Sequence, residues 1–320
     1  MVKKVALLTS GGDAPGMNAV IRAVVRAGLI NNLEMFAVFE GFKGLVEDQI
    51  IPVERSFVSE ILMRGGTILK TARLKTFIED SVQDIAVNNL KKRGIDALVI
   101  IGGDGSYRGG SALAKKGINI IGIPATIDND VVGTDTTIGF DTALNTITEA
   151  VDKLRDTSSS HLRCSIIEVM GNHCGDLALY GGTACGVDLI LSPEYRPNDE
   201  EIVEKLKFIH HSRSRHALVL VSEKLFPDIQ AFGTMIKEQT GFDTTVEILG
   251  RIQRGGSPTA MDRVLAARFG VYAIEALIKG KKNRVIGTTN GEIRDYDIDK
   301  AERRSKLIME ELIGVISTLK

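Results

Sequence analysis

Carboxylates, glycines and arginines gather at four places in this chain where their spacing suits phosphate chemistry. The sharpest is Pro124-Ala125-Thr126-Ile127-Asp128-Asn129-Asp130. Two carboxylates two residues apart can divide labour, one accepting a hydroxyl proton while the other helps place a divalent cation. Phosphoryl transfer needs that division, because its catalysis rests on aligning a hydroxyl in line and neutralising charge. The same residues alone would also make an Asx turn. Two glycine-rich segments precede them, Ser10-Gly11-Gly12-Asp13-Ala14-Pro15-Gly16-Met17-Asn18 and Gly102-Gly103-Asp104-Gly105-Ser106. Adjacent glycines admit backbone N–H groups to a phosphate, and the positive end of a following helix favours the same charge. Asp104 could hold Mg²⁺ through a nucleotide's oxygens. A tight turn accounts for either segment singly; two after two strands of one sheet make that account less attractive. Neither is a Walker A loop or the dinucleotide G-x-G-x-x-G. The fourth place, Gln253-Arg254-Gly255-Gly256-Ser257-Pro258-Thr259-Ala260-Met261-Asp262-Arg263, sets a planar guanidinium beside two glycines, where it could reach a phosphorylated ligand. A solvated arginine ahead of a helix has the same local sequence.

The elements that must position these loops alternate between strand and helix. Val5 to Thr9 reads as a strand and Met17 to Ile30 as a helix. Ala97 to Ile101 and Ile118 to Ile123 are apolar runs of the kind found in the middle of a parallel sheet, with Tyr107 to Lys116 as the crossover helix. Phe140 to Arg155 has a helical pattern that a polar stop, Asp156 to Ser160, is expected to end. A second series follows: strand Ser165 to Met170, helix Gly175 to Cys185, strand Asp188 to Leu191, helix Asp199 to His210, strand Ala217 to Val221, helix Asp228 to Gln239 and strand Thr245 to Leu249. Helices near Thr259 to Ile278 and Ile298 to Leu319 close the chain. Such alternation implies an α/β fold with parallel sheets and right-handed crossovers, in which ligands sit beyond the carboxyl ends of strands. The glycine-rich motifs fall there.

Composition narrows the function classes. A chain of 320 residues, 43% hydrophobic and 25% charged, fits two medium globular domains. Lys plus Arg (40) nearly balances Asp plus Glu (41), so no bulk field points to nucleic acid or a membrane. Three cysteines, Cys164, Cys174 and Cys185, without metal-type spacing read as a reduced, cytoplasmic chain. The N-terminal apolar run is too short for a secretion signal and runs into Gly-Gly-Asp, which suits a buried strand. His161 and His173 lack spaced partners and read as structural or solvent-facing.

The four loops, in this order and at these separations, resemble the bacterial ATP-dependent 6-phosphofructokinases essentially end to end. Ile127-Asp128-Asn129-Asp130 with Gln253-Arg254-Gly255-Gly256-Ser257-Pro258 carries the likeness most specifically. The resemblance implies two doubly wound parallel-sheet domains with the active site in the cleft between them. Residues 1–139 plus 253–303 would form the larger, ATP-binding domain, and 140–252 plus 304–320 the smaller, sugar-phosphate domain. It further implies a homotetramer that phosphorylates the 1-hydroxyl of fructose 6-phosphate, and an ADP-like or phosphoenolpyruvate-like allosteric effector. Carried over by position, Asp128 would be the base, with Thr126, Asp130 and Arg73 beside it. Gly12, Phe42, Arg73, Leu74, Gly103, Asp104, Gly105 and Ser106 would hold ATP, Phe42 lying against the adenine. Asp104 and Asp130 would serve Mg²⁺. Gly105 and Ala125 are small where pyrophosphate-using relatives carry Asp and Lys, which favours ATP as donor. On the sugar side Met170, Gly171, Glu223 and Arg254 match, and Arg163 matches an arginine from a neighbouring subunit. Arg22, Arg26, Arg55, Arg155, Asp188, Arg213 and Arg215 match the effector site, where several guanidiniums suit a diphosphate.

Three sugar-side positions depart from the family pattern. Asn172 and Thr245 stand where the family carries arginine, and Arg251 where it carries histidine. Two arginines lost and one gained leave that side one positive charge poorer, and charge-assisted phosphate contacts are worth about 1.5–3 kcal/mol each. Three explanations follow: Arg251 takes over the 6-phosphate, the acceptor is a different sugar or sugar phosphate, or the chain is a weakly active regulatory paralogue. The intact Asp128-Asn129-Asp130 favours a kinase. A dinucleotide-dependent dehydrogenase is disfavoured by the missing fingerprint.

Overall fold

The computed structural model describes residues 2–212, 216–300 and 310–318. In chain order the strands and helices are β1 (Lys4–Thr9), α1 (Met17–Ile30), β2 (Glu34–Val38), α2 (Gly41–Val46), β3 (Ile50–Pro52), α3 (Asp80–Lys92), β4 (Ala97–Gly102), α4 (Asp104–Lys115), β5 (Asn119–Pro124) and α5 (Phe140–His161). They continue with β6 (Cys164–Val169), α6 (Asp176–Cys185), β7 (Leu189–Leu191), α7 (Asp199–His211), β8 (Ala217–Ser222), α8 (Ile229–Thr240), β9 (Thr244–Ile248), α9 (Ala260–Ile278), β10 (Arg284–Thr289), β11 (Glu292–Asp297) and α10 (Glu310–Thr318). None of the described helices is long and apolar enough to cross a membrane.

The chain divides into two compact units. The first comprises Met1–Ile127, Val131–Thr142 and Arg254–Arg304, and the second Asp128–Asp130, Ala143–Gln253 and Ser305–Lys320. This differs from the expected boundary at residue 139, because the short stretch Asp128–Asp130 is bonded to second-unit groups, Asn129 to Asp176 and Asp130 to Asn172.

In the first unit a seven-stranded sheet runs in the order β11-β10-β5-β4-β1-β2-β3. Its central strands are buried on both faces, as parallel strands between helix layers must be. Ala6, Leu8, Leu98, Ile100 and Ile120 point into a cluster with Phe42, Val87, Leu90 and Leu113 from α2, α3 and α4. Val5, Leu7, Val99 and Ile121 alternate with them and are equally buried. The edges are antiparallel, β3 on β2 and β11 on β10, and the sequence reading passed over both. Asn290 (φ 52°) and Gly291 (φ 77°) make the β10–β11 connection, the Asn-Gly pair that a two-residue hairpin turn requires. The second unit holds a fully parallel four-stranded sheet, β7-β8-β6-β9, around Ile166, Leu206, Val219, Ile236 and Phe242.

The expected stop at Asp156 to Ser160 does not end α5, which continues to His161. The Ser158 and Ser160 hydroxyls donate to the carbonyls of Leu154 (2.7 Å) and Asp156 (2.8 Å), four residues back, so these polar residues are satisfied within the helix. The helix expected over Ile298 to Leu319 is a 3-10 turn at Ile298–Lys300 and α10, with 301–309 outside the described residues.

Asp295 on β11 ties the edge hairpin together. Burial favours its protonated form, but bonds from Lys281, Tyr272 (2.6 Å) and Arg284 (2.6 Å) outweigh that and hold the carboxyl down to about 2, from an ordinary 3.8. A depressed acid stabilises the fold above its unfolded value, and that contribution is lost as pH falls through the folded one. Asp295→Asn is therefore expected to cost about 1–2 kcal/mol at pH 7. In urea unfolding of the two proteins from pH 7 down to pH 3, the difference should shrink below pH 4; a constant difference would contradict the ionic origin.

Candidate active site

Three of the chemistry-bearing loops leave neighbouring strands of the first sheet. β1 pairs with β4 in parallel register up to Thr9 against Ile101, and β4 with β5 up to Gly102 against Pro124. The order reverses at β1, with β2 on one side and β4 on the other, so the crevice beyond β1 and β4 is a topological switch point. Close packing makes Gly102 necessary. A Cβ on Gly102 would stand 2.5 Å from both the Ser10 carbonyl oxygen and Ser106 Oγ. Gly11 has φ 87° and its carbonyl accepts from Thr71 Oγ1 (2.8 Å).

Asp104 opens α4 behind Gly103, and no side chain caps the start of the helix. Arg108 one turn later reaches Asp104 Oδ2 at 3.2 Å. Beside them a groove of about 1080 Å³ is lined by Asp80, Gln83, Tyr107, Arg108, Ser111 and Lys115. Phe42 does not line this groove. It is 7% exposed, packed on Phe77 with ring centroids 4.4 Å apart and lodged against Gly109, where a Cβ would lie 2.6 Å from its ring. Leu74 packs against the same core, Arg73 is exposed and Ser106 is buried.

Arg254, matched to the sugar side, lies over the first glycine-rich loop: its Nη1 donates to the Asp13 carbonyl at 3.2 Å, and a Cβ on Gly12 would meet that atom at 2.5 Å. The acidic loop follows β5. Thr126 is buried and its carbonyl accepts from Thr137 Oγ1 at 2.6 Å, while a Cβ on Gly103 would touch the Thr126 side chain at 3.7 Å. The segment after the loop is pinned by buried Asp262, which accepts from Gly139 N (2.8 Å), Thr142 N (2.9 Å) and Thr142 Oγ1 (2.5 Å). Burial raises the Asp262 carboxyl despite those donors.

At Asp128 the chain enters the second unit. Asp128 is 8% exposed and Asn129 1%, the latter in the left-handed region at φ 53° with Nδ2 donating to Asp176 Oδ2 (2.8 Å). Gly171, at φ 138°, turns the chain after β6, and Met170 N donates to Gln253 Oε1 (3.1 Å). The Asn172 N–H donates to Glu223 Oε1 (2.8 Å), and Asn172 Nδ2 to Asp130 Oδ2 (3.3 Å). Burial and the nearby Glu223 raise the carboxyl of Glu168, a neighbour that the sequence reading missed because a half-buried strand residue carries no motif. Arg163 Nε meets Asp243 Oδ2 at 2.7 Å, and Lys237 meets the other oxygen at 3.2 Å. Thr245 sits on β9 within 3.4 Å of Ser165 Oγ, and Arg251 is exposed.

Of the expected effector arginines, Arg22 and Arg26 share α1 and Arg55 lies on an adjoining 3-10 turn. Burial and the charges of Arg22 and Arg55 lower the pKa of Arg26, whose Nε has no hydrogen-bond partner among the described residues. In the second unit Arg155 donates to the Cys185 carbonyl, and Asp188 Oδ2 accepts from Leu218 N (2.9 Å). Arg213 and Arg215 lie outside the described residues. No cluster of three His, Cys, Asp or Glu suited to a metal occurs among the described residues.

Glycine-rich loops at a switch point, an uncapped helix start with an aspartate, and an acidic loop on the next strand define an α/β protein built to handle phosphates. The Phosphofructokinase family model matches residues 4–277, and the chain belongs to that family. It is 48% identical over 320 residues to the ATP-dependent 6-phosphofructokinase of Tolumonas auensis, and 48% to that of Photobacterium profundum, each covering all of both chains. The solved phosphofructokinase of Saccharomyces cerevisiae superposes with a TM-score of 0.87 at 34% identity, over 99% of this chain and 48% of that one. The chain thus spans about half the length of the yeast protein.

Asn129→Ala is expected to lower unfolding free energy by about 2–3 kcal/mol, through an under-bonded Asp176 and an alanine forced to positive φ. Asn129→Gly should recover about 1 kcal/mol by relieving only the backbone. Urea midpoints of the three proteins check both values.

Proposed function

We propose that the chain is an ATP-dependent 6-phosphofructokinase, moving the γ-phosphoryl group of Mg·ATP to the 1-hydroxyl of fructose 6-phosphate. The observation that carries this reading is the side-by-side placement of the loops after β1, β4 and β5, with Asp128-Asn129-Asp130 intact, in a chain 48% identical end to end to kinases of that name. The same identity disfavours a changed acceptor or a purely regulatory role.

The first unit's loops bind the donor. Backbone N–H groups of the glycine-rich segments and the start of α4 receive the phosphates, Arg73 adds charge, and the groove beside Asp104 has room for the nucleoside. Mg²⁺ fits this donor set, because it usually takes one or two carboxylates and completes its shell with phosphates and water. Asp104 would hold it in the first unit, and it would supply charge neutralisation. Gly105 is exposed and carries no side chain over the loop, which leaves space for an α-phosphate and favours ATP over pyrophosphate.

The second unit's loops bind the acceptor. Glu223 and the backbone at Met170 and Gly171 orient the sugar and Arg251 takes its phosphate, with Arg163 supplied to a neighbouring subunit's site. Asp128 accepts the proton of the 1-hydroxyl as it attacks. Arg22, Arg26 and Arg55 would take an anionic effector, a reading supported by their mutual charge and the unpartnered Arg26 Nε. A homotetramer in the cytoplasm completes it.

The test is ADP release on mixing Mg·ATP with fructose 6-phosphate, with pyrophosphate as control donor. Turnover with ATP alone supports the reading; none, with ATP bound, refutes it. Asp128→Ala should lose about two to four orders of magnitude in kcat while still binding ATP. Gly105→Asp should raise KM for ATP at least tenfold and leave KM for fructose 6-phosphate near its original value; equal effects on both would contradict the donor assignment.

A further inference from the structure

β6 and β8 are parallel neighbours in register to Val169 against Ser222, so the loops that leave their carboxyl ends, residues 170–175 and 223–228, lie side by side. Each loop holds a non-glycine residue at positive φ, Asn172 at 59° and Lys224 at 66°. That conformation is unfavourable for a lysine, which has no short side-chain oxygen to satisfy the backbone locally. It turns the exposed Lys224 back over the neighbouring loop, where Nζ donates to Asn172 Oδ1 at 2.5 Å.

The choice of tether matters. Asn172 is held at three points: its N–H on Glu223, its Nδ2 on Asp130 and its Oδ1 on Lys224. A carboxylate in its place would fix the ammonium and neutralise it. An amide oxygen fixes the ammonium and leaves its charge, and Lys224 makes no ion pair with a carboxylate among the described residues. One of its three N–H donors is used on Asn172, and two remain. A directed cation with spare donors, bonded through one residue to Asp130, is suited to receive an anion.

We infer that Lys224 is a further phosphoryl-contacting cation of the acceptor side, positioned by Asn172. This rests on the kinase reading, and it answers the charge deficit at Asn172 and Thr245: the positive charge comes from the next loop. The group contacted is a phosphoryl dianion, either the acceptor's own phosphate or the one being transferred.

The experiment compares wild type, Lys224→Met and Lys224→Arg by calorimetric titration with fructose 6-phosphate without nucleotide, and by steady-state kinetics. Equal urea midpoints establish that folding is intact. Lys224→Met should either raise the fructose 6-phosphate Kd roughly ten- to a hundredfold, marking the acceptor's phosphate, or lower kcat by a similar factor at unchanged Kd, marking the transferred group. Lys224→Arg should restore most of either loss, and KM for ATP should stay within about twofold. Kd and kcat both within twofold of wild type in Lys224→Met would overturn the inference. If wild type binds fructose 6-phosphate without turnover, the kinase reading fails while the Kd comparison still decides Lys224, unchanged binding overturning it.

Discussion

The arrangement depends on the parallel register that joins β1, β4 and β5. Thr9 against Ile101 and Gly102 against Pro124 bring three strand ends to one level, so the loops that follow emerge together. A slip of one residue in either ladder would turn every side chain to the opposite face, and both faces of these strands are buried. The helices on either side therefore hold the register fixed. The loops inherit that constraint as close packing: Gly102 has the Ser10 carbonyl and Ser106 Oγ where a Cβ would stand.

Polar groups around the site are anchored by one another. Asp262, almost wholly buried, gathers three donors from the segment after the acidic loop, and Thr137 holds the Thr126 carbonyl within that loop. Asn129 accepts an unfavourable backbone to reach Asp176. Each bond alone is modest. Leaving any of these buried groups without a partner would cost more than the bond itself contributes, so they act as a set. In the second unit the β6–β8 register plays the part that β1–β4–β5 plays in the first, aligning Asn172 with Glu223 and Lys224.

Much of this was legible in the chain because its signals are local. Continuous apolar runs gave the central strands, and glycines followed by helical periodicity marked the loops after β1 and β4. The edge strands were missed for a physical reason: β3 is only Ile50–Pro52, and the polar face of β11 gives it a weak pattern. Asn290-Gly291 was a sequence signal for the β10–β11 hairpin that went unused. The serines after Arg155 misled because a hydroxyl can satisfy itself on a carbonyl one turn back as readily as it can end a helix.

The sequence by itself determined the α/β class and the placing of the glycine-rich segments and the acidic pair after strands, since these depend on residue type and short spacing. Tertiary structure decided which unit each group lies in. Arg254 lies on the first loop, Asp128–Asp130 joins the second unit, and Phe42 packs against Gly109. It also decided where charge comes from. Lys224 and Asn172 are 52 residues apart in sequence, and only the pairing of β6 with β8 brings the ammonium to the amide.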